Sequence, residues 1–263
     1  MLEAHGVGYA SAQHELLAEI DFTARPGVVT VLIGPNGAGK STLLRILSGE
    51  LKPTRGHVAL DGQPLASIGS AVLAQRRAVV PQASALAFPF TALEVAMLGA
   101  TVPGFQLENG QERDAAINAL RSLGMGAMAD RPYAFLSGGE RQRVHIARAL
   151  AQLACAPRSE GRQILLLDEP TSSLDLAHQG TVLSLLSLQA CADVAVVAVL
   201  HDLNLAAAVA DVLVLLENGR VAAAGKPDDV LKDDILSKVY RCPVSVGRPP
   251  ANSKPFLLPP ALF

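Results

Sequence analysis

The chain has 263 residues, 50% of them hydrophobic, with a formal net charge of -2 and a pI near 6.3. That apolar content is enough for one large α/β core, with or without a smaller helical lobe. The near-neutral balance lacks the broad basic surface of a nucleic-acid-binding domain. Three scattered cysteines, Cys155, Cys191 and Cys242, have no C-x-x-C spacing, which fits a reducing compartment better than a zinc site.

At the N-terminus no basic stretch leads into an apolar core, so no secretory signal is read there. Apolar positions around Val7, Ile20 and 58–60, punctuated by turns at Pro26-Gly27 and Asp61-Gly62, predict an antiparallel edge of β-structure. The run 28–33 predicts a buried strand, and Leu43, Leu44 and Leu47 mark the helix that follows. Between them stand Gly34, Pro35, Asn36, Gly37, Ala38, Gly39, Lys40 and Ser41, followed by Thr42. This is the P-loop spacing in the strand-to-helix context that the motif requires. Glycines let successive backbone N–H groups turn toward one anion, and the helix start adds its positive end. Lys40 is placed to reach the β- and γ-phosphates of a nucleotide, and Ser41 to ligate Mg²⁺.

The section from about residue 91 is poor in β-branched runs and carries helical spacing at Ala115, Leu120 and Leu123, which predicts a helical lobe inserted in the α/β core. Ser137-Gly138-Gly139-Glu140 reads as a capping box opening a helix through Val144, Ala147 and Leu150. Such a start leaves backbone donors facing outward beside two residues without side chains, which suits close approach to a phosphate.

The strand predicted at 164–167 ends in two carboxylates: Asp168 is suited to the Mg²⁺ shell, and Glu169 to polarising the water that attacks a γ-phosphate. A further strand at 194–200 ends in His201, whose imidazole is placed to bond the γ-phosphate. The apolar region 194–216 is interrupted by His201, Asp202, Asn204 and Asp211, so it does not read as a span of about 20 apolar residues. Alternating strands and helices predict a mainly parallel sheet. The tail from Pro243 to residue 263, with Pro249-Pro250 and Pro259-Pro260, predicts an extended end.

Taken together, these motifs closely resemble the ABC ATPases, and the resemblance runs over nearly the whole chain. It implies one nucleotide-binding domain over 1–263: a P-loop NTPase α/β core with an antiparallel β edge subdomain and an inserted helical subdomain at about 91–150 that includes the signature Ser137 to Glu140. It further implies that Tyr9 stacks on adenine, that Gln82 is the Q-loop glutamine at the Mg²⁺ together with Ser41 and Asp168, and that His201 is the switch histidine. Ser173-Leu174-Asp175 matches the D-loop. By the same resemblance the chain works as a head-to-tail homodimer, in which Ser137, Gly138, Gly139 and Asp175 act in trans on ATP held by residues 34–42 of the other copy. A lobe entry at residues 88–95, Phe88 through Val95, is similar to the segment that receives the membrane subunit in importers of iron-siderophores, cobalamin and heme. The insertion at 154–163 and the segment 239–244 resemble the heme-import branch, with cobalamin or ferric-siderophore import as the alternative. The implied partners are two permease copies and, indirectly, a periplasmic heme-binding protein, with the chain peripheral on the cytoplasmic face of the inner membrane. A soluble ABC ATPase should show a long heptad insertion or a second set of motifs, and a small-molecule kinase has no use for Ser137 to Glu140.

Overall fold

The structure, a computed structural model, describes residues 1–11, 14–82, 89–105, 107–157, 161–191 and 193–249. Phe88, the middle of the 154–163 insertion and the tail from Pro250 onward lie outside the described residues.

Strands β1 (Leu2–Ser11) and β2 (His14–Ala24) pair antiparallel, and β3 (Val29–Ile33) runs straight into helix α1 (Lys40–Leu47). Then come β4 (Arg55–Leu60), β5 (Gln63–Pro64), α2 (Ser70–Arg76) and β6 (Arg77–Val80). Three helices follow, α3 (Ala92–Met97), α4 (Gln111–Ser122) and α5 (Gly138–Cys155), and they pack on one another. The chain returns to the sheet with β7 (Gln163–Asp168), α6 (Leu176–Gln189), β8 (Val194–Val199), α7 (Leu203–Val209), β9 (Val212–Glu217) and β10 (Arg220–Gly225), and closes with α8 (Pro227–Val230) and α9 (Asp233–Tyr240).

Two sheets result, one in the order β2-β1-β4-β5 and one in the order β10-β9-β3-β8-β7-β6. The second is parallel from β9 to β6 and antiparallel only at β10. Its central strands are apolar on both faces because both faces are covered. Val31, Ile33, Leu165, Leu167, Val196 and Leu215 point to the helical layer. Leu32, Leu166, Val197, Val199 and Val214 point the other way, onto Leu43 and Leu47 of α1 and Val7, Leu17 and Ile20 of the smaller sheet. Burying each such side chain is worth about 1.5–3 kcal/mol, so α1 and the loop before it are clamped between two sheets. The P-loop is thereby fixed at the carboxyl ends of the parallel strands, the usual place for a ligand in an open α/β sheet.

The α/β class with a mainly parallel sheet and an antiparallel edge holds, with limits that move by a residue or two. Strands β6 and β10 and helix α2 depart from the sequence expectation. Strand β6 is four residues long and exists by pairing with β7. Strand β10 is rich in alanine, a poor strand former, and is folded back on β9 by the Asn218-Gly219 turn.

Candidate active site

Gly39, with φ 99°, caps α1, and Lys40 opens it. A Cβ at Gly39 would sit 2.6 Å from Leu17 Cδ2 and 2.9 Å from Leu16 O, so β2 presses on the loop where only glycine fits. The buried Lys40 ammonium donates to Gly34 O at 2.7 Å and Pro35 O at 2.9 Å, folding the loop over its own lysine. Burial pulls the Lys40 pKa below its usual value, opposed by the carboxylates of Glu169 and Asp168. A cleft of about 210 Å³ is lined by residues 36–42 together with Leu16, Glu169 and His201.

Asp168 ends β7, nearly buried, and accepts the Ser41 hydroxyl at 3.0 Å. Burial raises its pKa, and the Ser41 hydrogen bond works against that rise. Ser41, Asp168 and Gln82 line a second cleft of about 280 Å³. A hydroxyl, a carboxylate and an amide oxygen form a hard-oxygen donor set, so these residues fit a Mg²⁺ ion. Among the described residues no group of three or more His, Cys, Asp or Glu is arranged to hold a metal ion.

Glu169 has φ 50°, a left-handed backbone that costs about 1–3 kcal/mol for a residue with a side chain. Its N–H is held by Val199 O at 3.2 Å, and its Oε1 lies 2.5 Å from His201 Nε2. Two adjacent strand ends, β7 and β8, thus bring the acid and the imidazole together at the mouth of the P-loop cleft.

Ser137 caps α5 as its sequence predicts: its Oγ accepts Glu140 N at 3.3 Å, while Glu140 Oε2 accepts Ser137 N at 2.6 Å. Gly139 packs so closely that a Cβ would lie 2.8 Å from Ser173 O, which joins the helix start to the segment leading into α6. Ser137, Gly138 and Gly139 line neither of the two clefts. Asp175 caps α6, accepting His178 N at 3.0 Å and standing 2.6 Å from His178 Nδ1, and it too is outside the clefts. Tyr9 is half-buried against the inner core, opposite Leu17 in the ladder, and does not line the P-loop cleft.

Leu16, on the neighbouring strand, does line the cleft. Its position depends on β2 crossing the loop, and no local pattern announces that. Tyr240 of α9 is a second unanticipated neighbour: burial raises its hydroxyl pKa, and the backbone amide of Gly34 opposes the rise.

Behind the signature, Tyr133 OH lies 2.7 Å from His145 Nε2, and both side chains are buried. Burial lowers the His145 pKa from 6.5 to about 4, with the Arg148 charge adding to the effect. Because the unfolded chain binds this proton first, the stability contributed by neutral His145 is complete above about pH 6.5. It is lost progressively as pH falls toward 4. His145→Gln, which cannot charge, should flatten that part of the acid-side decline in thermal midpoint, as followed by circular dichroism at stepped pH.

The pattern shared by ABC transporters matches residues 17–172, which takes in β3, the P-loop, the signature helix and the Asp168–Glu169 strand end. The chain belongs to the ABC transporter family. Among curated members, the hemin import ATP-binding protein HmuV of Myxococcus xanthus is 45% identical, covering 98% of this chain and 96% of its own length. HmuV of Mesorhizobium japonicum is 44% identical over 98% of each chain. The solved ATP-binding subunit of an ABC transporter superposes with a TM-score of 0.78 at 26% identity, over 92% of this chain and 98% of its own. The ATP-binding cassette MJ0796, solved as a dimer in a post-hydrolysis state bound to ADP and Pi, gives a TM-score of 0.72 at 28% identity, over 86% of this chain and 99% of its own. As an ABC transporter ATP-binding subunit the chain binds and hydrolyses ATP. Among the described residues, no helix is long and apolar enough to cross a membrane.

Proposed function

We propose that this chain is the ATP-hydrolysing subunit of a hemin importer, peripheral on the cytoplasmic face of the inner membrane. The observation that carries this reading is similarity over almost the full length, at 41–45% identity, to proteins named hemin import ATP-binding proteins. The membrane partner would dock beside Gln82 and the 88–95 segment. Two features support that docking surface: Phe90 packs against the core of the helical layer, and Thr91 caps α3 with its Oγ1 accepting Glu94 N at 3.2 Å. Residues 90–95 are thus stiffly joined to the lobe that carries Ser137.

In this mechanism the backbone of residues 36–42 binds the phosphates, and Lys40 neutralises their charge. Glu169 accepts the proton of the attacking water, and His201 holds Glu169 and reaches the γ-phosphate. Ser41, Gln82 and Asp168 would hold Mg²⁺, which supplies charge neutralisation on the β- and γ-oxygens. Tyr9 would flank the adenine from β1, with Leu16 offering apolar surface nearer the loop. Because Ser137, Gly138, Gly139 and Asp175 lie outside the clefts of their own chain, they are assigned to the nucleotide of a second copy, so each site needs both protomers.

Purification of the chain with its membrane partner, followed by ATPase assays with ligand-loaded binding proteins, tests the cargo. Heme-loaded binding protein should stimulate hydrolysis severalfold over the unloaded form. Stimulation by cobalamin- or ferric-siderophore-loaded protein instead would replace hemin with that cargo.

A further inference from the structure

Asn218 and Gly219 make the two-residue turn between β9 and β10, with φ of 48° and 74°. Gly219 is buried. Its N–H donates to Ala38 O of the P-loop at 3.2 Å, and its carbonyl accepts Ala18 N–H of β2 at 2.8 Å. A Cβ at Gly219 would lie 2.5 Å from Leu16 O, 2.9 Å from Leu16 C and 3.1 Å from Leu17 Cα. All three are backbone atoms, so no flexible side chain is there to yield. The β9–β10 turn is thereby wedged between the P-loop and β2.

The Ala38 carbonyl and the Gly39 N–H belong to one planar trans peptide, so they point in opposite directions. Anchoring the carbonyl to the turn therefore sends the Gly39 N–H away from it. Gly39 lines the cleft and is the N-cap of α1, at the helix end where backbone donors have no partner within the helix. We propose that Gly219 is a positioning residue for ATP binding: by holding the Ala38 carbonyl it aims the Gly39 N–H at the phosphates, and by holding Ala18 it keeps β2 closed over the loop. Gly219 touches no substrate and acts only through these two carbonyl and amide contacts. An amide that bonds phosphate in both the bound state and the transition state contributes to affinity and not to kcat.

The molecule supplies its own control. Asp61 and Gly62 form a turn with nearly the same backbone, φ 50° and 79°, but a Cβ at Gly62 meets nothing within 4 Å. Gly219→Ala and Gly62→Ala therefore carry the same left-handed backbone penalty, and only the first disturbs the loop. The test is the Kd for MgATP by titration calorimetry, with kcat at saturating ATP and the thermal midpoint measured alongside. Gly219→Ala should raise Kd about tenfold, the scale of one charge-assisted hydrogen bond, with kcat nearly unchanged, while Gly62→Ala binds as the parent does. Parental affinity in folded Gly219→Ala, or equal weakening in both variants, would overturn the proposal. Should Gly219→Ala not fold, replacement of Gly219 by glycolic acid turns the N–H into an ester oxygen and so withdraws the donor without adding a Cβ; a raised Kd with kcat nearly unchanged is then expected, and parental affinity would overturn the proposal.

Discussion

Glu169→Gln should bind MgATP about as tightly as the parent chain and hydrolyse it roughly 10²- to 10⁴-fold more slowly, the usual contribution of a positioned general base. The amide keeps the shape of the side chain and a hydrogen bond to His201, but cannot take the proton of the attacking water. In barrier terms the loss is about 3–5 kcal/mol. The backbone adds weight to this role. A left-handed glutamate is costly, and the chain tolerates it where the side chain must leave β7 and meet His201 at 2.5 Å. Single-turnover hydrolysis and nucleotide binding measured on the same preparation separate the two effects. Hydrolysis at the parental rate would remove Glu169 from the chemistry.

Ser137→Arg should abolish turnover while leaving ATP binding by the separated monomer nearly intact. The substitution puts a long cation at the helix start that has to approach a phosphate held by another copy. Because Ser137 does not line the P-loop cleft of its own chain, the monomer has no reason to lose its nucleotide. The change also deletes an N-cap, worth about 0.5–2 kcal/mol. Ser137→Ala deletes the same cap without the bulk, so it should share the loss of thermal stability and keep measurable turnover. Loss of nucleotide by the Ser137→Arg monomer would mean that the serine acts within its own chain.

The motif residues were legible because each depends on a short local pattern. A glycine-rich spacing between a buried strand and a helix locates Lys40 and Ser41, and a strand ending in two carboxylates locates Asp168 and Glu169. The capping box at Ser137 has the same local character, and the structure reproduces both of its hydrogen bonds. What the local pattern does not carry is which segments cross. Leu16 borders the cleft because β2 passes over the loop, and Gly219 touches Ala38 because the antiparallel β10 edge returns the chain to that point. The Asn218-Gly219 dipeptide does mark a hairpin, but the contact of Gly219 with Ala38, 181 residues earlier, is a tertiary fact. Tyr9 illustrates the opposite case. Its role is implied by the family resemblance and not by any local pattern, and its side chain is taken up partly by the inner core and does not line the cleft.

Enclosure of one nucleotide by two copies of the chain is best tested by a structure of the Glu169→Gln protein with MgATP. A symmetric pair is expected, in which the γ-phosphate bound at Gly37–Lys40 of one protomer also meets the Ser137–Gly139 helix start of its partner. A nucleotide-loaded pair with those helix starts turned away from the phosphates would contradict that enclosure.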